Sequence, residues 1–162
     1  MTHAELMFAD FPQEHVSTRR VLQRFPDGQD SWRPHEKSRP LAALATHVAD
    51  IVNRGTTVLE TLSMDIVGRQ ALAPIVSREG LVAYFDAGVL KFNAALAAAT
   101  DESLAEPWAI RRGDTTIFAA PRRVMIRTLM MSHLIHHRAQ LGVYFRLLGV
   151  PVPGVYGPSA DE

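Results

Sequence analysis

Two histidines, His133 and His137, stand four residues apart in Ser132-His133-Leu134-Ile135-His136-His137-Arg138. On a helix that spacing puts both imidazoles on one face, one turn apart, with Cβ atoms about 5–6 Å from each other. Two rings so placed can hold one metal ion, at nitrogen–metal distances of about 2.0–2.1 Å for zinc. His136 lies about 100° around the helix from His137 and does not easily join the same ion. A pair needs a third ligand. His47 is the best candidate, because Leu44, Val48 and Ile51 flank it on an otherwise apolar helix face, where a buried polar ring needs a partner. Three neutral imidazoles leave at least one coordination position open, the arrangement of a catalytic rather than a structural zinc site. An ion held there can lower the pKa of bound water or of a bound thiol, or polarise a carbonyl. A plainer reading stands beside it: three hydrogen-bonded core histidines with no ion between them.

Those residues need helices to carry them, and the periodicity supplies four. The first runs from Thr2 to Phe25, with Pro12 interrupting it or marking its first turn and Pro26-Asp27-Gly28 ending it. For the second, Ser38 reads as the cap and Pro40 as part of the first turn; it carries Leu44, His47, Val48, Ile51, Val58 and Leu62 and ends before Gly68. The third, capped by Ser77, spans Arg78 to about Ala99 along the stripe Leu81, Phe85, Val89, Phe92 and Leu96. The fourth opens at Pro121 and stops at Gly149, with Leu129/Met130, His133, His137, Leu141, Tyr144 and Leu148 on one face. Between the third and fourth, Asp101 to Ala120 reads as a short β-hairpin or extended excursion. The expected fold is therefore all-α, an antiparallel four-helix bundle in a single domain, residues 1–162.

Composition narrows the chemistry. The 162 residues contain 17 basic and 17 acidic side chains, so the basic excess of a nucleic-acid binder is missing. There is no cysteine, which excludes a disulfide scaffold, a thiolate metal site and a cysteine nucleophile. Any thiol chemistry must use a sulfur brought in by a small molecule. The start Met1-Thr2-His3-Ala4-Glu5 is unlike a signal peptide, and the apolar stretches are too short to span a bilayer. A cytoplasmic protein with no nucleic-acid or membrane partner is expected.

The remaining polar residues read more blandly. His35 and Glu36 fall in a loop, Asp50 and Glu60 read as solvated helix charges, and Trp32 as a plug for the bundle end. Arg122, Arg123 and Arg127 read as a solvated face, Arg138 as reaching solvent or a substrate carboxylate. Gln140 and Tyr144 are placed to line the pocket or support a ligand. Met125, Leu129, Ala139, Val143 and Leu147 form a second apolar face on the fourth helix, suited to a homodimer partner.

Several stretches resemble the DinB/YfiT-like family of four-helix metalloproteins. They are Ser31-Trp32-Arg33-Pro34-His35-Glu36-Lys37-Ser38, then Leu44-Ala45-Thr46-His47-Val48-Ala49-Asp50, then His133-Leu134-Ile135-His136-His137-Arg138-Ala139-Gln140-Leu141. The closing Tyr144-Phe145-Arg146-Leu147-Leu148-Gly149-Val150-Pro151-Val152-Pro153 and Tyr156-Gly157-Pro158-Ser159 also fit. The resemblance implies an up-down-down-up bundle and a divalent ion, zinc or nickel, with His47, His133 and His137 as metal ligands and His136 outside the set. It also implies a homodimer and thiol-dependent chemistry on a small electrophile, an S-transferase or isomerase using a low-molecular-weight thiol as cosubstrate. The alternatives are a metal-dependent hydrolase and a non-catalytic module that binds a metal or small molecule. The catalytic residues are not assigned.

Overall fold

A computed structural model of the chain describes residues 6–162. Along them run α1 (Phe11–Leu22), α2 (Leu41–Glu60), β1 (Ser63–Asp65), α3 (Arg78–Ala97), α4 (Asp101–Ala105), β2 (Pro107–Arg112) and β3 (Thr115–Pro121). Then come α5 (Arg122–Ile126), a π-helical stretch (Arg127–Ser132) and α6 (His133–Leu147). The protein is mostly helical, as expected, with a small sheet. The expected start of the first helix at Thr2 lies outside the described residues.

Local chemistry sets the element ends. Pro12 occupies the first turn of α1, where its missing N–H costs nothing. Gly28 makes the following turn at a φ of 72°, in the left-handed region. The start of α2 differs from expectation: it follows Pro40, and no side chain caps it. Backbone carbonyls do that work, since Leu41 N–H donates to Trp32 O at 2.8 Å and Ala42 N–H to Asp30 O at 3.1 Å. Its end also differs. Thr61 is already extended, and Leu62, expected on the inner stripe, is 78% exposed. In α3 the expected cap is present, with Gly80 N–H donating to Ser77 Oγ at 3.1 Å.

The expected hairpin is β2–β3, antiparallel with Trp108 opposite Ala120 and Arg112 opposite Thr115. A third strand was not anticipated: β1 pairs parallel to β2, Ser63 opposite Ala109. Three residues are too few to display alternation. Trp108, fully buried, donates its indole N–H to Thr61 Oγ1 at 3.1 Å and locks the sheet to the end of α2.

Around the core, α2 packs on α3 and α6, and α1 packs on α3 and α6. Leu44, Val48, Ile51, Phe85, Phe92, Leu141 and Phe145 fill the space between them. No helix among the described residues is long and apolar enough to cross a membrane.

The fourth helical segment is not uniformly α. The π-helical stretch adds a residue and rotates what precedes it relative to α6 by about 100°. Met130 and Met131, adjacent in sequence, are consequently both buried. The second apolar face expected on this helix is broken by the same rotation. Met125 turns fully inward and Leu129 is half-buried, whereas Val143 and Leu147 stay exposed at 59% and 60%.

Two arginines expected at the surface are buried. Arg122 donates to the carbonyls of Val58, Leu59 and Thr61 at the end of α2, and faces Glu106 at 3.6 Å. A cation there satisfies the orphan carbonyls and complements the helix dipole, which stabilises the end of α2. Arg138 is 3% exposed and pairs with Glu14 at 2.7 Å. Tyr156, from the tail, donates to Glu14 Oε1 and accepts from Arg138 Nη2, both at 2.8 Å. Of the other surface expectations, Glu60, His35 and Glu36 are exposed, and Arg127 pairs with Asp10 at 2.8 Å.

Candidate metal centre

His47 enters the site from the edge of α2's buried face, among the fully buried Leu44, Val48 and Ile51. His133 opens α6, and His137 follows one turn later. One ligand atom from each of the three lies within 4.8 Å of the other two, and each ring is half-buried. His47 Nε2 and His133 Nε2 are 3.2 Å apart. His136 is exposed and outside the set, although its ring centroid is 4.8 Å from that of His137.

Two of the three rings are held from behind. Gln140 Oε1 lies 2.7 Å from His137 Nδ1. An amide oxygen only accepts, so Nδ1 carries the proton and the Nε2 lone pair is free. Behind His133 the π-helical stretch matters. The backbone N–H of His133 is directed to Met130 O rather than to Leu129 four residues back. The Leu129 backbone instead meets the His133 imidazole.

The electrostatics favour neutral rings. Burial is the largest cause holding His47 down at about 3, with Arg39 and His137 adding to it. Burial and then Arg54 hold His133 down at about 4. His137 is lowered too, again mainly by burial. At neutral pH all three therefore offer lone pairs, and the donor set fits a divalent transition-metal ion.

Two cavities flank the histidines. One of about 360 Å³ is lined by His47, Thr46, Asp50, Arg39, Arg54 and Arg69. The other, about 430 Å³, is lined by His137, Gln140, Tyr144 and Leu44, with Arg39 shared. The wall of the first is pinned to α2 by Ile75 N–H donating to Thr46 Oγ1 at 2.7 Å. Asp50, expected as a solvated charge, instead faces this cavity and accepts from Tyr84 Oη at 2.8 Å and Asn53 Nδ2 at 3.2 Å. Burial and Asp50 push the Tyr84 phenol up to about 12, so it remains a donor. Trp32 packs edge-on against Tyr144 at 5.6 Å between centroids, beside the second cavity.

Asp50, Arg54 and the arginines at the cavity mouth were missed as site residues. Part of the signal was present: His47, Asp50 and Arg54 follow at steps of three and four and so share one face of α2. Arg39 and Arg69 reach the cavity only through the loops that carry them.

A family model described as the DinB family matches residues 1–162. Among solved structures, a DinB-like protein from Bacillus cereus ATCC 10987 is 23% identical with a TM-score of 0.70, covering 93% of this chain and 95% of its own. The DinB-like protein YjoA from Bacillus subtilis is 19% identical with a TM-score of 0.68, covering 93% of this chain and 97% of its own. At these identities the likeness concerns the fold. No curated protein matches.

Proposed function

The chain belongs to the DinB family, and we propose that it is an enzyme dependent on a zinc or nickel ion held by His47, His133 and His137, with thiol-dependent S-transferase or isomerase activity on a small electrophile. The observation that carries this reading is the convergence of three half-buried imidazoles from α2 and α6, with ligand atoms within 4.8 Å of one another. Three protein ligands leave a position open for a small molecule. A bound divalent ion supplies Lewis-acid stabilisation that makes a thiolate available at neutral pH. The chain contains no cysteine, so the thiol comes from a cosubstrate. Gln140 keeps His137 in the tautomer that presents Nε2. The two flanking cavities offer room for a thiol on one side of the histidines and an electrophile on the other. The thiolate forms a bond to the electrophilic carbon. The displaced electron pair leaves with the outgoing group, or, in an isomerisation, rests on the substrate until the sulfur departs again.

One observation favours a second reading, hydrolysis. Asp50 places a carboxylate in the cavity that His47 lines, and a carboxylate beside an activated water can serve as general base. The same carboxylate weighs against a non-catalytic binding module, which needs no acid or base at the site.

Metal content of the purified protein tests the shared step. His47→Ala, His133→Ala and His137→Ala are each expected to lose the ion, and His136→Ala to keep it. Retention in the three, or loss in His136→Ala, defeats this assignment. Incubation with an electrophile, with and without glutathione, mycothiol or bacillithiol, separates the readings. Turnover indifferent to thiol selects hydrolysis.

A further inference from the structure

The cavity beside His47 has an unbalanced charge. Three of its lining residues are arginines, Arg39, Arg54 and Arg69, and Asp50 is its one carboxylate. Asp50 is already engaged by Tyr84 and Asn53. Among the described residues, no ion pair involves any of the three guanidiniums. Arg54 Nε is buried and has no hydrogen-bond partner. Among the described residues, the hydrogen-bond partner of Arg69 is the thioether of Met64, a weak acceptor. Arg39 and Arg69 are exposed at the cavity mouth, while Arg54 is half-buried deeper along α2. Burial first, and then the neighbouring Arg69, lowers the Arg54 pKa, and Asp50 offsets this only in part.

We propose that this cavity is the subsite for the oxyanion end of the enzyme's small-molecule ligand, with Arg54 as its principal contact and Arg39 and Arg69 closing around it. A carboxylate or phosphate presents two oxygens to a guanidinium fork, satisfies the orphaned Nε and balances the excess positive charge. His47 lines the same cavity, so an anion anchored on Arg54 leaves the rest of the ligand directed toward the histidines. The inference rests on the metal-site reading for what the other end of the ligand meets, but not for the anion contact itself.

Calorimetric titration of the metal-loaded protein with 3-mercaptopropionate and with neutral 2-mercaptoethanol reads the anion preference. The acidic thiol is expected to bind at least about tenfold tighter, the scale of a charge-assisted hydrogen bond. Arg54→Gln brings the ratio to about one while 2-mercaptoethanol affinity is unchanged, and Arg54→Lys restores part of it. Arg69→Gln, on an exposed loop, lowers the ratio without endangering the fold. A ratio near one in the unaltered protein, or a ratio indifferent to Arg54→Gln in a folded variant, overturns the proposal. Titration of the metal-free protein with succinate and with inorganic phosphate isolates the anion contact if no ion proves to bind. Binding of either that is lost in Arg54→Gln upholds the subsite and identifies carboxylate or phosphate as its ligand. Binding by neither overturns it, even where the histidines hold metal.

Discussion

At the scale of single residues, the site depends on side chains that hold the imidazoles as much as on the imidazoles themselves. Gln140 accepts from His137 at 2.7 Å, and loss of such a supporting partner commonly lowers metal affinity by about 10–100-fold. Gln140→Leu is expected to weaken metal binding within that range in a competition titration against a chelator. An unchanged affinity would remove Gln140 from the site. The depressed histidines also make a statement about stability. In the metal-free chain His47 is held at about 3 and His133 at about 4, against an ordinary 6.5. Below the ordinary value the unfolded chain takes up protons that the folded one refuses, so folded-state stability declines as the pH falls. The melting temperature of chelator-treated protein is expected to drop between roughly pH 7 and pH 5, and less steeply in His47→Gln. A flat profile would mean that the rings are not desolvated.

At the scale of elements, the site is as well defined as the approach of α2 to its neighbours. Gly55 of α2 faces Phe92 of α3 so closely that an added Cβ would lie 2.6 Å from Cε2 and 2.7 Å from Cδ2. Phe92 is fully buried and has little space into which to withdraw. Gly55→Ala gains up to about 1 kcal/mol of helix propensity. Overpacking costs about 1–3 kcal/mol. The expected result in urea unfolding is a net loss of about 1 kcal/mol, and a gain would show that the ring repacks freely. The π-helical stretch acts at this scale too. It lets Arg122 face the end of α2 while His133 and His137 face His47.

At the scale of the whole molecule, Arg138 joins the two ends of the chain. It connects α6 to Glu14 and Thr18 on α1 and to Tyr156 in the tail. The tail is further tied by Arg20 to Glu162 at 2.6 Å and Arg146 to Asp161 at 2.7 Å, both solvent-facing. Arg138→Met leaves Glu14 buried without its counter-charge, a change that typically costs about 3–5 kcal/mol. Urea unfolding should show a loss of that size. Adding Glu14→Gln should return part of it, because the stranded charge goes with it. A loss below about 1 kcal/mol would place the pair effectively in solvent.

Much of this was legible in one dimension. The four-residue step between His133 and His137 and the apolar surround of His47 follow from helical period alone, which is a local property. The Ser77 cap, the Gly149 stop at a φ of 71° and the β2–β3 hairpin were legible from local residue chemistry instead. The tertiary structure decided what depends on distant partners. Arg122 and Arg138 read as surface cations because burial of a charge requires a counter-group, and theirs come from α2, α1 and the tail. The third strand, Ser63–Asp65, exists only through its pairing with β2. The extra residue of the π-helical stretch shifts helical phase without an obvious local cue, and Arg39 and Arg69 meet Arg54 only where separate loops converge. Helical period determined which histidines could share a face, and long-range packing decided which charges surround them.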